Sequence, residues 1–167
     1  PGIMLSSAIK KYADYYGVAC GKKNIFFTNN DTAYESAISL FNKGIKVEAI
    51  IDIREKSDST IVKEAKNLGI KIYWSHTVVN TNGYKRLKQI SIMQLSKDGQ
   101  SFSGQKKTML ECDCLGVAGG WTPAVHLFTQ SGGKLKFREE DQVFIPNKYP
   151  SKPVSYTHLR AHETTHD

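Results

Sequence analysis

Six consecutive residues, Thr28, Asn29, Asn30, Asp31, Thr32 and Ala33, precede a helical stretch, and Asp52 and Arg54 close the apolar run after it. These residue types at this spacing suit a dinucleotide. A helix N-terminus can face a pyrophosphate, and a carboxylate ending the second strand accepts bonds from ribose hydroxyls. The three positions of the usual G-x-G-x-x-G/A fingerprint hold Thr28, Asn30 and Ala33, so only the small third position is kept. Asn30 tolerates a left-handed backbone, so the tight turn remains available. Thr28, Asn29, Asn30 and Thr32 offer side-chain hydrogen bonds in place of bare backbone. Asp31 would oppose a pyrophosphate, and it is read as the cap of the following helix. Asp52 favours NAD, whereas Arg54 is the type of neighbour that accommodates a 2′-phosphate. The competing reading is a doubly wound domain whose turn binds nothing.

No other group in the chain reaches the level of a reaction centre. G-x-S-x-G is absent, and no cysteine has an activated context. No catalytic residue is therefore assigned, and the chain is expected to bind a cofactor without carrying out the chemistry. The spacing of Cys20, Cys112 and Cys114 gives neither a disulfide framework nor a metal site. Cys112 and Cys114, one residue apart, are expected on the same face of a strand as small apolar residues. A reducing, cytoplasmic setting follows. His158, His162 and His166 are spaced for one helix face, but they lie in a stretch read as a non-native tail, so no metal site is assigned.

The elements that must position these groups can be read from periodicity. Residues 3–16 carry Ile9, Tyr12, Ala13 and Tyr16 at helical spacing, and Gly17 or Gly21 ends the helix. Residues 24–27 form a short strand, residues 34–43 a helix stopped by Gly44, and residues 47–51 a second strand. A helix over residues 59–68, with Ile61, Val62, Ala65 and Leu68 inward, closes at Gly69 before a third strand, residues 70–73. This β-α-β-α-β order predicts a parallel sheet with right-handed crossovers. Strands then follow around residues 77–79, 87–95 and 107–112, with turns at Asn82-Gly83 and Lys97-Asp98-Gly99, as an antiparallel meander. The middle one is expected to have a wetter and a drier face. Residues 115–118 form the last strand, running into Gly119 and Gly120. Pro123 opens a helix over residues 124–130, and Trp121 and His126 are expected to pack.

A formal net charge of +7 on 167 residues raises the question of nucleic acid. The lysines are scattered through turns and helix ends, without a basic run interleaved with aromatics, so nucleic-acid binding is not expected. No long apolar run or signal peptide is present, and no membrane span is expected. The chain opens at Pro1 without an initiator Met and reads as an internal fragment of a soluble protein.

Two strings, I-F-F-T-N-N-D-T-A-Y and D-C-L-G-V-A-G-G-W-T-P-A-V-H-L-F-T-Q-S-G-G-K-L-K-F, closely resemble the alpha subunit of heterotetrameric sarcosine oxidase. The opening P-G-I-M-L-S-S-A-I-K-K-Y-A-D-Y-Y-G-V is similar to the stretch preceding the turn in that family, and the resemblance runs to about Pro146. In that family the T-N-N-D turn replaces the usual glycines. Cys20 departs from it, standing where Pro is expected before Gly21.

The resemblance implies a Rossmann-like NAD-binding domain nested in a two-dinucleotide flavoprotein fold. Residues 1–21 would return from the flavin-type domain, residues 22–118 would bind NAD, residues 119–150 would lead back, and residues 151–167 would be the tail. Thr28 to Ala33, Asp52, Arg54, Gly119 and Gly120 would contact the cofactor. The resembled enzyme demethylates sarcosine oxidatively to glycine and formaldehyde, producing hydrogen peroxide. It does so in a hetero-oligomer that also holds FAD and FMN, with the substrate flavin in the beta subunit. The fragment alone is expected to be inactive. Alternatives are an NAD(P)H-dependent flavoprotein reductase, an amine or opine dehydrogenase subunit, or a scaffold with a decayed nucleotide site.

Overall fold

The computed structural model describes residues 1–140 and 142–149. The histidines at 158, 162 and 166 and the expected tail, residues 151–167, lie outside them. The chain divides into two compact units at Gly120/Trp121.

The first unit is built on the alternation expected from the sequence. It runs β1 (Ile3–Leu5), α1 (Ser6–Tyr16), β2 (Asn24–Thr28), α2 (Thr32–Asn42), β3 (Val47–Asp52), α3 (Thr60–Asn67) and β4 (Ile72–Trp74). Then come β5 (His76–Asn82), β6 (Gln89–Gln94), β7 (Thr108–Glu111) and β8 (Cys114–Ala118). Five strands form one sheet in the order β1-β8-β2-β3-β4, and every neighbouring pair is parallel. Strands β5, β6 and β7 form the separate antiparallel meander. This is an α/β Rossmann-like fold.

Both faces of the parallel sheet are covered, which is why its strands read as apolar runs and not as alternating ones. Phe26, Ile50 and Cys114 point to the face packed by Ile9 and Ala13 of α1, Ala37 and Leu40 of α2, and Val62 and Ala65 of α3. Ile25, Ile51 and Leu115, one residue along each strand, point to the other face and meet Ile90 and Ile92 of the meander. Gly116 sits where a Cβ would come within 2.6 Å of the Phe26 ring and 2.9 Å of Ile9, so the helix face closes onto β8 only because that side chain is missing. Gly17, Gly44 and Gly69 end their helices at φ of 62°, 73° and 77°, the left-handed conformation that glycine adopts without strain.

Several expectations need correction. Residues 3–5 are not helical: Leu5 is extended at ψ 139°, and Ile3, Met4 and Leu5 pair with Leu115, Gly116 and Val117 of β8. Available edge hydrogen bonds outweigh local periodicity there. Helix α2 starts two residues earlier than expected, at Thr32, and the third strand of the unit is Ile72–Trp74. Strand β6 has no wet face over its centre, because Ile90, Ser91, Ile92 and Met93 are all buried. Cys112 and Cys114 do not share a face. Cys112 lies in the meander-side cluster and Cys114 in the helix-side cluster. Strand geometry breaks between them at Asp113, whose carboxylate takes the backbone N–H groups of Lys22 and Lys23 at 3.0 and 2.8 Å.

The second unit begins at Trp121 with α4 (His126–Gln130), followed by a hairpin of β9 (Lys134–Arg138) and β10 (Val143–Lys148). Strand β8 is thus not the last strand. The alternation of Lys134, Lys136 and Arg138 with Leu135 and Phe137 is a period-two pattern that supports β9. Pro123 precedes the helix, and Trp121 and His126, expected to pack, are exposed. Phe128 instead is the buried residue of α4, set under Gly133 and edge-on to Tyr149.

Candidate functional site

Strand order reverses about β2: the chain moves from β2 to β3 and β4 on one side, then returns to β8 on the other. The crevice outside the carboxyl ends of strands at such a point is where open α/β sheets take ligands. Here the turn Thr28–Thr32 and the end of β8 meet. The Asn29 side chain donates to the Gly119 carbonyl at 3.1 Å, and its backbone N–H to Ala118 at 3.4 Å. Gly120 follows at φ 109°, open to solvent.

The turn holds its shape through its own polar side chains. Thr28, buried at the end of β2, donates its hydroxyl to the Asn30 carbonyl at 2.7 Å and accepts the Asn30 N–H at 3.0 Å. The Asn30 Oδ1 accepts the Thr32 N–H at 3.0 Å and the Thr32 hydroxyl at 2.5 Å. Asn30 therefore supplies the side-chain acceptor that stabilises the start of α2. Asp31 holds the N-cap position but makes no capping bond, a correction to its expected role. Its carboxylate turns to Arg54, because an ion pair with a guanidinium outcompetes a bond to one peptide N–H. Ala33 is fully buried, and its small side chain lets α2 sit close on the sheet.

Asp52 and Arg54 form the electrostatic centre. Asp52 is fully buried. Its Oδ1 accepts the Arg54 backbone N–H and Nε, each at 3.0 Å, and its Oδ2 accepts Arg54 Nη2 at 2.7 Å. The Tyr34 hydroxyl donates to the same Oδ2 at 2.8 Å. Arg54 Nη2 also reaches Asp31 Oδ1 at 2.7 Å. These bonds hold the guanidinium well above its ordinary pKa, the bond to Asp52 contributing most. Burial, helped by the Asp52 carboxylate, likewise raises the Tyr34 phenol.

The loop carrying Arg54 is tied down further along. Ser75 adopts φ 53°, unusual for a residue with a Cβ. In that conformation its N–H donates to the Arg54 carbonyl at 2.9 Å while its own carbonyl accepts Leu95 N–H at 2.7 Å. Trp74 stacks on Tyr34 at 6.5 Å between centroids. Sequence reasoning missed Tyr34, Trp74 and Ser75. The available signal was an Arg two residues after a strand-ending Asp, a spacing that lets one guanidinium chelate that carboxylate.

The sequence-predicted residues are thus brought together in two groups. The turn Thr28–Thr32 meets Gly119 at the carboxyl ends of β2 and β8; Asp31, Asp52 and Arg54 form a linked cluster on the β3 side. The polar side chains of the turn are of a type that suits a dinucleotide, while in this conformation the Asp52 oxygens are engaged by the chain's own donors. Among the described residues no group of three His, Cys, Asp or Glu side chains is arranged to hold a metal, and no helix is long and apolar enough to cross a membrane.

No family model matches the chain. It is 35% identical over 149 residues to sarcosine oxidase subunit alpha of Corynebacterium sp. strain P-1, covering 88% of this chain and 15% of that protein. The subunit of the same name from Corynebacterium sp. strain U-96 is 32% identical over 87% of this chain and 15% of its own length. That from Rhizobium meliloti strain 1021 is 30% identical over 87% and 13%. Among solved structures, thioredoxin reductase of T. acidophilum superposes with a TM-score of 0.61 at 20% identity, over 82% of this chain and 42% of that one. An FAD-dependent pyridine nucleotide-disulphide oxidoreductase from Desulfovibrio vulgaris gives 0.59 at 13% identity, over 96% and 47%.

Proposed function

From a chain that belongs, over the segment it spans, to the sarcosine oxidase alpha-subunit family, we propose that this segment holds NAD within a flavoprotein oxidoreductase. The segment spans about 15% of the length of the first two of those relatives, so the whole protein's reaction is part of the proposal. That reaction is the oxidative demethylation of sarcosine to glycine and formaldehyde, with hydrogen peroxide formed, in a cytoplasmic complex with the other subunits and with FAD and FMN.

The observation that carries this reading is the crevice at the strand-order reversal, where the turn after β2 and the exit of β8 are joined by the Asn29–Gly119 bond. The diphosphate of NAD would lie by the start of α2, with the second amide N–H of Asn29 and of Asn30 as side-chain donors, Thr32 holding Asn30 in place, and Gly119 and Gly120 leaving room. Asp31, Asp52 and Arg54 would stand at the adenosine side. Bound NAD supplies a nicotinamide able to take or give a hydride. The chain's own residues bind and orient it, and no residue of the segment is assigned to the oxidation of the amine. The proposal includes the division into a nucleotide domain over residues 22–118 and arms, residues 1–21 and 119–150, that lead to a flavin-type domain. The segment alone would be inactive.

The engaged state of Asp52 favours a second reading, a scaffold whose nucleotide site has decayed. One experiment separates the two. The full-length protein, purified with its partner subunits, is denatured and the released nucleotides are quantified, alongside sarcosine-dependent peroxide formation. Stoichiometric NAD with peroxide production is expected. Peroxide production without NAD, before or after incubation with it, favours the scaffold, and absence of peroxide removes the sarcosine assignment.

A further inference from the structure

We propose, resting on the NAD reading above, that Asp31 and not Asp52 is the carboxylate that reads the adenosine ribose. In this arrangement the Asp31–Arg54–Asp52 cluster selects a free 2′-hydroxyl over a 2′-phosphate. An ionised carboxylate offers about four lone-pair sites. Those of Asp52 are taken by Arg54 N–H, Nε and Nη2 and by the Tyr34 hydroxyl, and the residue is fully buried. It has no acceptor left for a ligand and no surface through which to offer one.

Asp31 differs on both counts. Its side chain is 39% exposed, and Oδ1 alone is bonded, to Arg54 Nη2. Its Oδ2 makes no hydrogen bond among the described residues. It stands immediately before α2, on the turn that follows β2 at the carboxyl end of the sheet. Arg54 spans the gap, joining the buried acid at the end of β3 to the exposed acid at the start of α2. Asp52 is then a positioning residue: it fixes the guanidinium that fixes Asp31.

Charge decides the discrimination. Two carboxylates surround one guanidinium, so the cluster is net negative. A phosphomonoester brings a charge of about −1.5 to −2 and meets repulsion there. An Arg clamps phosphate best through two parallel N–H donors. Nε and Nη2 of Arg54 are committed to Asp52 and Asp31, so neither edge of the guanidinium keeps two parallel donors for a phosphate. A ribose hydroxyl, by contrast, can donate to the open Oδ2 of Asp31.

The test uses the full-length protein with its partner subunits, titrated calorimetrically with NAD and with NADP, as the native form and as Asp31→Asn, Asp31→Ala and Asp52→Asn. The native protein is expected to prefer NAD. Both Asp31 variants should lose NAD affinity and shrink the preference over NADP, each by about tenfold, the loss of one charge-assisted bond. Asp52→Asn should lower the melting temperature and, where it folds, keep more of the native preference than Asp31→Asn does. An unmoved preference in both Asp31 variants, or a native protein that prefers NADP, overturns this inference alone. Failure of the native protein to bind either nucleotide overturns the NAD reading and this inference with it.

Discussion

Asp52 and Arg54, two residues apart at the end of β3, hold each other through both carboxylate oxygens, with the guanidinium Nε at 3.0 Å from Oδ1 and Nη2 at 2.7 Å from Oδ2. The pair is asymmetric in burial: the carboxylate is fully enclosed and the guanidinium partly exposed. Removing the cation leaves a buried charge with only Tyr34 and a backbone N–H as partners. Arg54→Ala is therefore expected to destabilise the fold by about 3–5 kcal/mol, the usual cost of orphaning one member of a buried pair. Asp31→Ala removes an exposed partner and should cost roughly 1 kcal/mol or less. Chemical unfolding of the two variants checks the contrast, and equal losses would contradict the assignment of Asp52 as the buried centre.

Gly116 makes a separate prediction about packing. A Cβ there would enter the Phe26 ring and the Ile9 side chain, both fully buried and unable to swing away. Gly116→Ala should therefore destabilise by about 1–3 kcal/mol, as overpacking does, although alanine normally stabilises a strand relative to glycine. Gly119→Ala, with nothing within 4 Å of its Cβ, is the control and should be nearly silent in the same unfolding experiment.

These contacts explain how far the sequence could be read. The β-α-β-α-β order was legible because Gly44 and Gly69 punctuate it and because doubly covered strands are written as apolar runs. The meander was legible from Asn82-Gly83 and the alternation after it. Strand β1 was not, since its pairing with β8 is a contact across more than a hundred residues that leaves no local trace. The Cys112–Cys114 pair was misread because a carboxylate-bound bend at Asp113 interrupts the alternation that the rule assumes. At the site, residue types gave Asp31, Asp52 and Arg54, but not that their charges would be spent on one another.

The two buried cysteines predict a pH dependence. Burial pushes the Cys112 thiol up to about 11 and the Cys114 thiol up to about 12, from an ordinary value near 9. An acid whose folded pKa is raised stays protonated in the folded chain while the unfolded chain releases its proton. Stability is thus complete below about pH 9 and falls as pH rises toward 11, by on the order of 2 kcal/mol for Cys112. Urea unfolding at a series of alkaline pH values should show a shallower decline for Cys112→Ala than for the native chain. Parallel declines would mean that the thiol ionises as readily in the folded state.

The last prediction concerns the surface formed by β1, α1 and the turn after it. Leu5 is 65% exposed and Tyr15 80%, and Ile3, Tyr16 and Val18 are each about half exposed or more. Among the described residues, strand β1 lies at the edge of its sheet and pairs with β8 alone. An edge strand flanked by apolar side chains is a template for association, and exposed patches of this kind favour it. The chain on its own is accordingly expected to self-associate at micromolar concentration. Leu5→Lys places a charge on the outer strand at a position with little packing to lose, so it should shift the population toward monomer without lowering the melting temperature. Sedimentation velocity of the two chains over a concentration series decides it. A native chain that stays monomeric throughout would show that this face is tolerated in water, and an associated Leu5→Lys chain would place the contact elsewhere.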